Sequence, residues 1–171
     1  MGGDAGIDSE PGCGSRFWFR VRVAIQAEER QSNRITAAAV PARGLKGTLL
    51  IAEDNPTNRM VIMGMLDMLD SSGLAVTVVD DGQQALDFIT QGGEPDLVLM
   101  DLQMPVMGGM EATEKIRLWQ TVHGKPRVPI VALTASAFDE DRQACLAVGM
   151  DDYLVKPLDM EKLRAMLVRW L

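Results

Sequence analysis

The sequence predicts an α/β fold, a doubly wound five-stranded parallel sheet with helices on both faces. Three observations carry that expectation. Five short runs rich in Val, Ile and Leu recur between residues 47 and 171. Each run is continuous rather than alternating, as in a strand buried on both faces. Helix-like stretches separate the runs, so consecutive strands need crossovers, and right-handed crossovers wrap helices over both faces.

The elements follow in order. Leu49–Ala52 precedes a helical candidate over 56–70, and Val76–Val79 precedes one over 82–91. Leu97–Met100 leads to 109–121, and Ile130–Leu133 to 137–147. Tyr153–Val155 leads to 159–171, which Asp159 or a neighbour can cap. Residues 1–46 read differently. Gly2, Gly3, Gly6, Gly12 and Gly14 with Pro11 form a glycine-rich stretch, which runs into Phe17–Val23, alternating like a strand. Residues 24–46 show no apolar period and read as a linker. The predicted boundaries are therefore 1–23, 24–46 and 47–171.

The composition narrows the class. The 171 residues suffice for one domain with a sizeable core plus an appendage. Apolar residues make up 47% and charged residues 24%, as in ordinary soluble proteins. Two cysteines, Cys13 and Cys145, give no disulfide framework, which predicts a reducing, cytoplasmic setting. No apolar run is long enough to span a membrane, and no secretory signal opens the chain. The net charge is −7, unevenly spread. Residues 1–46 hold 7 basic and 5 acidic residues; residues 47–171 hold 10 and 19. So acidic a chain predicts no nucleic-acid partner.

Ligands in such sheets bind outside the carboxyl ends of the strands. The residues there are Glu53-Asp54, Asp80-Asp81, Asp101, Thr134 and Lys156. A lone Asp after a strand is most often a helix cap, and Asp80-Asp81 before Gly82 reads that way. The joint occurrence at the other four ends points further. Three clustered carboxylates repel unless a cation sits among them. Oxygen-only ligands suit magnesium, or manganese in its place. Lys156 adds a point charge suited to a phosphate, and Thr134 a hydroxyl donor. With no activated Ser, Cys or His at hand, the nucleophile for phosphoryl chemistry would be a carboxylate, Asp101 being central.

Four motifs now stand together: Leu49-Leu50-Ile51-Ala52-Glu53-Asp54-Asn55, Asp101-Leu102-Gln103-Met104-Pro105-Val106-Met107-Gly108-Gly109, Ala132-Leu133-Thr134-Ala135 and Tyr153-Leu154-Val155-Lys156-Pro157. In order and spacing, residues 47–171 resemble the receiver domain of two-component response regulators. The resemblance implies a flavodoxin-like fold with strand order 2-1-3-4-5. It implies that Asp101 accepts a phosphoryl group from phosphohistidine. Asp54 and Asp101 would ligate magnesium with the backbone carbonyl of Gln103, and Glu53 would act through water. Thr134 and Lys156 would hold the phosphoryl group, Tyr153 would change rotamer on activation, and the Lys156-Pro157 bond would be cis. Residues 1–23 carry a second resemblance, to the end of a histidine-kinase ATP-binding domain. That implies a cytoplasmic fragment of a hybrid histidine kinase, a parent chain compatible with a membrane anchor. The kinase function itself does not reside here, because the boxes that bind ATP are missing. His123 reads as an exposed loop residue.

The first helix also suggests a partner. Val61, Ile62, Met65, Leu66 and Leu69 form one apolar stripe for the sheet. Met60, Met63, Gly64 and Met68 form a second on the opposite side, where polar residues are usual. Exposed methionines make adaptable contact surfaces. With the resemblance, they imply docking of a histidine-phosphotransfer domain or a histidine kinase core on Met60, Met63 and Met68, near Asn55, Pro56 and Asn58. Met104, Met107, Met110 and Met150 read as core or loop fillers, and Cys145 as buried and inert.

Competing readings fit less well. A haloacid-dehalogenase-like phosphatase wants a second acid two residues after the nucleophile, where Gln103 stands. A flavodoxin-like FMN protein wants a hydroxyl-rich phosphate loop, which Glu53-Asp54-Asn55 is not. A receiver acting as an unphosphorylated scaffold is disfavoured by the intact Asp54, Asp101, Thr134 and Lys156. The domain reads as a switch with self-catalysed chemistry more than as an enzyme.

Overall fold

The computed structural model describes residues 3–10, 14–21, 44–69, 72–136 and 138–171. The chain divides into two units, Met1–Pro41 and Ala42–Leu171. In the first, β1 (Gly3–Glu10) and β2 (Gly14–Val21) pair antiparallel, Gly3 opposite Val21 and Glu10 opposite Gly14. Part of the glycine-rich stretch is thus a strand, which its composition concealed. Its glycines can still pair: Gly6 lies opposite Trp18, whose ring occupies the space a side chain at position 6 would take. Residues 24–43 of the expected linker, and Cys13, lie outside the described residues.

The second unit alternates strands and helices: β3 (Lys46–Ala52), α1 (Pro56–Met68), β4 (Gly73–Val79), α2 (Gly82–Thr90), β5 (Leu97–Asp101), α3 (Gly109–Val122), β6 (Ile130–Thr134), α4 (Asp139–Ala147), β7 (Asp152–Val155) and α5 (Met160–Trp170). The parallel sheet runs β4-β3-β5-β6-β7, the 2-1-3-4-5 order expected. β3 and β4 begin earlier than their apolar runs suggest, because backbone pairing extends over Lys46–Thr48 and Gly73–Ala75, where Lys46, Gly47, Thr48 and Gly73 carry little hydrophobic signal. Leu45, placed in the linker by sequence, is buried in the core.

Alternate residues of the buried strands feed two cores. Leu50, Ala52, Val98, Met100, Ile130 and Ala132 pack against Ala85 and Ile89 of α2, Ala112 and Ile116 of α3, and Cys145 of α4. Leu49, Ile51, Leu97, Leu99, Val131 and Leu133 pack against Ile62 and Leu66 of α1 and Leu163 and Leu167 of α5. Burial of each such Leu or Ile stabilises the fold by roughly 1.5–3 kcal/mol. Met107 and Met150 are buried, and Met104 and Met110 pack on the same core. Burial raises the pKa of the Cys145 thiol, in keeping with an inert side chain.

Two helix starts follow their local chemistry. Asp81 caps α2, accepting from Gln84 N at 2.8 Å, and Asp159 caps α5, accepting from Lys162 N at 3.0 Å. At the end of the sheet away from these strand termini, Asp151 accepts from Arg117 (2.8 Å), Arg127 (2.9 Å) and Ile130 N (2.8 Å). Arg117 also donates to Gly149 O, Val128 O and Gln120 Oε1, tying α3 to the starts of β6 and β7. Burial lowers the Arg117 pKa to about 10, and the guanidinium stays charged at neutral pH. Among the described residues no helix is long and apolar enough to cross a membrane.

Candidate functional site

The site forms where the strands end. Glu53 follows β3 and prolongs its pairing with β4 through Glu53 N to Val79 O at 3.1 Å. Asp101 is the last residue of β5 and Thr134 the last of β6. Lys156 follows β7, its N donating to Thr134 O at 2.7 Å. Parallel pairing in register thus delivers these side chains to one end of the sheet.

There they meet. Glu53, Asp54 and Asp101 offer oxygens within 4.8 Å of one another. Glu53 is fully buried, Asp101 is 7% exposed, and Asp54 is the most open of the three. The Lys156 ammonium bridges Glu53 Oε2 and Asp101 Oδ2, each at 2.6 Å. Asp101 Oδ1 accepts from Gln103 N at 3.1 Å. Thr134 is buried, its Oγ1 accepting from Ser136 N at 3.1 Å.

The electrostatics match. Burial pushes the Asp101 pKa up, only partly offset by the Lys156 and Gln103 hydrogen bonds, and the Glu53 charge pushes it further up. Burial works against the Lys156 charge, yet its hydrogen bonds to Asp101 and Glu53 outweigh that and raise its pKa. One ammonium facing three carboxylates leaves an excess of negative charge. An all-oxygen donor set in that condition fits a hard divalent cation.

The loop after Asp101 is closely fitted. A β-carbon on Gly109, at the start of α3, would collide with the Asp101 carbonyl oxygen. Val106 has φ +65°, in the left-handed region that a β-branched residue resists. Met107 N closes that tight turn on Pro105 O at 2.7 Å. The Lys156-Pro157 peptide bond is cis.

The structure brings Glu53, Asp54, Asp101 and Lys156 together, with Gln103 N on Asp101, Asn55 N and Asn58 on Glu53, and Thr134 joined to Lys156 through the backbone. Asp80 instead pairs with Arg59 at the rim. Tyr153 is half-buried, with the Arg142 guanidinium 5.4 Å from its ring centre. His123 is exposed and stacks on Trp119. On α1, Met60 (76%) and Met68 (78%) are exposed as expected. Met63 is half-buried against the core, and Val61, assigned to the core stripe, is 46% exposed. The helix is turned so that Ile62 and Leu66 meet the sheet squarely, which carries Val61 outward and Met63 inward. Asn55 caps α1, its Oδ1 accepting from Thr57 N at 2.9 Å, and Pro56 occupies the first turn. Asn58 turns its amide onto Glu53 at 2.8 Å. Sequence reasoning missed this contact and the closeness of Gly109 to Asp101; only paired glycines after the Asp101 motif hinted at the latter.

Residues 49–168 match the response regulator receiver domain family. Sensor histidine kinase GacS of Pseudomonas protegens is 44% identical over 124 residues, covering 71% of this chain and 13% of that protein. Hybrid signal transduction histidine kinase L of Dictyostelium discoideum is 33% identical over 166 residues, covering 95% of this chain and 9% of that protein. The chain thus spans a small part of the length of these relatives. Among solved structures, the receiver domain of sensor histidine kinase PA1611 from Pseudomonas aeruginosa, with magnesium coordinated in its active-site cleft, is 43% identical (TM-score 0.62; 73% of this chain, 97% of that one). A co-crystal structure of the Saccharomyces cerevisiae histidine phosphotransfer protein Ypd1 with the receiver domain of Ssk1 matches at 33% identity (TM-score 0.67; 73% and 88%). The chain belongs to the response regulator receiver domain family, homologous to the receivers of hybrid sensor histidine kinases.

Proposed function

We propose that the chain takes a phosphoryl group from a phosphohistidine onto Asp101 and serves as a relay or switch in a hybrid-kinase phosphorelay. The observation that carries this reading is the Lys156 ammonium shared between Glu53 and Asp101 beside Asp54. In the transfer, an Asp101 carboxylate oxygen attacks phosphorus. A P–O bond forms, the P–N bond breaks, and the electron pair leaves on the donor imidazole nitrogen. Asp54, Asp101 and the Gln103 backbone carbonyl are the proposed magnesium ligands, with Glu53 acting through water. When bound, the cation offsets the charge of the carboxylates and the phosphoryl oxygens.

The chain's own residues account for the switch. Phosphorylation adds negative charge and acceptor oxygens at Asp101. Lys156, divided between two carboxylates, gains a stronger partner, and the Thr134 hydroxyl gains an acceptor. Only such a differential interaction shifts a two-state equilibrium. Inward movement of Thr134 vacates space for Tyr153, so the face of α4, β7 and α5 changes shape.

The proposed docking face for a histidine-phosphotransfer domain or kinase core is α1, with Met60 and Met68 outward, Met63 beneath them, and Asn55, Pro56 and Asn58 at the helix start. The Ypd1–Ssk1 receiver complex supports a partner of that kind. The antiparallel β1–β2 pair, and the similarity to a hybrid kinase over 95% of the chain, support reading residues 1–23 as the end of a kinase ATP-binding domain.

Acetyl phosphate or beryllofluoride with magnesium, applied to the wild type and to Asp101→Asn, tests the central claim. A magnesium-dependent adduct forms in the wild type alone; an adduct in both proteins overturns the assignment of Asp101.

A further inference from the structure

Glu53 is fully buried, so protein donors rather than bulk water hold its carboxylate. Oε2 accepts from Lys156 at 2.6 Å. Oε1 accepts from the Asn58 amide at 2.8 Å and from Asn55 N at 3.3 Å. Asn58 is therefore the neutral side-chain donor that opposes the pull of the ammonium. Its own place is set by the helix cap, because Asn55 Oδ1 accepts from both Thr57 N (2.9 Å) and Asn58 N (3.4 Å). The first turn of α1 and the acidic cluster form one hydrogen-bonded unit.

We infer that Asn58 is a positioning residue for the divalent-cation site and acts on cation affinity through Glu53. The inference rests on the proposed magnesium role of the cluster. The chemistry of an amide suits the task. It orients a carboxylate without offsetting its charge, whereas a cationic donor would compete with the metal and an acid would repel Glu53. Without Asn58, Lys156 is the one strong partner left to Glu53. The carboxylate then swings toward the ammonium and withdraws negative charge from the Asp54 side. Partners that orient metal-binding groups set affinity by about 10–100-fold in other proteins.

The experiment is a magnesium titration followed by NMR amide shifts, using the whole chain. The proteins are wild type, Asn58→Ala, Asn58→Leu, Glu53→Ala, the double variant Asn58→Ala/Glu53→Ala, and Asp54→Asn. Unfolding midpoints in EDTA are measured alongside. Both single Asn58 variants bind magnesium about tenfold more weakly, and in the Glu53→Ala background the Asn58 change has less than about a twofold effect, as expected of a residue acting through Glu53. Asn58→Leu keeps a branched side chain with the same number of heavy atoms but no donor, so a loss of affinity shared with Asn58→Ala does not come from an emptied space. Unchanged affinity with a lowered midpoint leaves Asn58 a structural residue and overturns the inference, as does an equal loss in the Glu53→Ala background. If the wild type does not bind magnesium, or binds it undiminished after Asp54→Asn, the metal reading itself fails and the inference falls with it.

Discussion

Lys156 Nζ stands 2.6 Å from Asp101 Oδ2, and the same ammonium lies 2.6 Å from Glu53 Oε2. Lys156→Met leaves two buried carboxylates facing each other without their cation. Losing one partner of such a buried arrangement costs about 3 kcal/mol. The loss should be largest in EDTA and smaller in millimolar magnesium, whose charge substitutes for the ammonium. Urea unfolding under both conditions checks this, and a variant as stable as wild type in EDTA contradicts it.

Asp101 should show an inverted pH dependence. Its folded pKa lies above the 3.8 of an unperturbed carboxyl, with burial as the main cause. The folded state therefore holds the Asp101 proton more tightly than the unfolded chain does. Above the folded pKa the ionised group opposes folding, and that opposition fades as pH falls toward 3.8. In EDTA, Asp101→Asn is more stable than wild type at pH 7, and the gap narrows on acidification. A gap that widens as pH falls rejects the sign.

Gly109→Ala drives a methyl group into the Asp101 carbonyl, which is backbone and yields little. Overpacking of this kind costs about 1–3 kcal/mol. Because the strain falls on the proposed phospho-acceptor, the variant should also form the beryllofluoride adduct poorly, measured by NMR at saturating magnesium. Wild-type adduct formation would show that the contact relaxes without moving Asp101.

Asp151 provides the opposite dissociation. It gathers Arg117, Arg127 and Ile130 N at the far end of the sheet from the acidic cluster. Asp151→Ala removes the counter-charge of the mostly buried Arg117 guanidinium and should destabilise by about 3 kcal/mol. Magnesium affinity at a temperature where the variant is folded should stay within about twofold of wild type, as for uncoupled distant sites.

Met60→Lys with Met68→Lys tests the proposed docking face. Both side chains are more than three-quarters exposed, so the fold should tolerate the change. Affinity for a histidine-phosphotransfer domain should drop about tenfold or more if these are central contacts. Calorimetric binding at wild-type strength places the partner elsewhere.

The sheet and the acidic cluster were legible in the sequence because both follow from local rules. The buried central strands write continuous apolar runs, whereas the edge strand β4 has no fully buried residue, and the residue after each run is the one at the ligand end. Subtler placements depend on tertiary fit. Val61 and Met63 occupy neighbouring angles on α1, and a small rotation of the helix decides which is covered; periodicity alone does not resolve it. The strand at Gly3–Glu10 was hidden because glycine lowers strand propensity, while pairing with Gly14–Val21 overrides it. The turn of Asn58 toward Glu53 depends on where the helix axis points after its cap, which no spacing rule specifies.

The position of Lys156 at the end of the last strand has a consequence for biosynthesis. Glu53, Asp54 and Asp101 leave the ribosome well before the ammonium that steadies them, since Glu53 and Lys156 are 103 positions apart. A nascent or C-terminally clipped chain lacking β7 carries the acids without their cation. Until β7 joins the sheet, Glu53 and Asp101 therefore lack the ammonium they share in the finished fold.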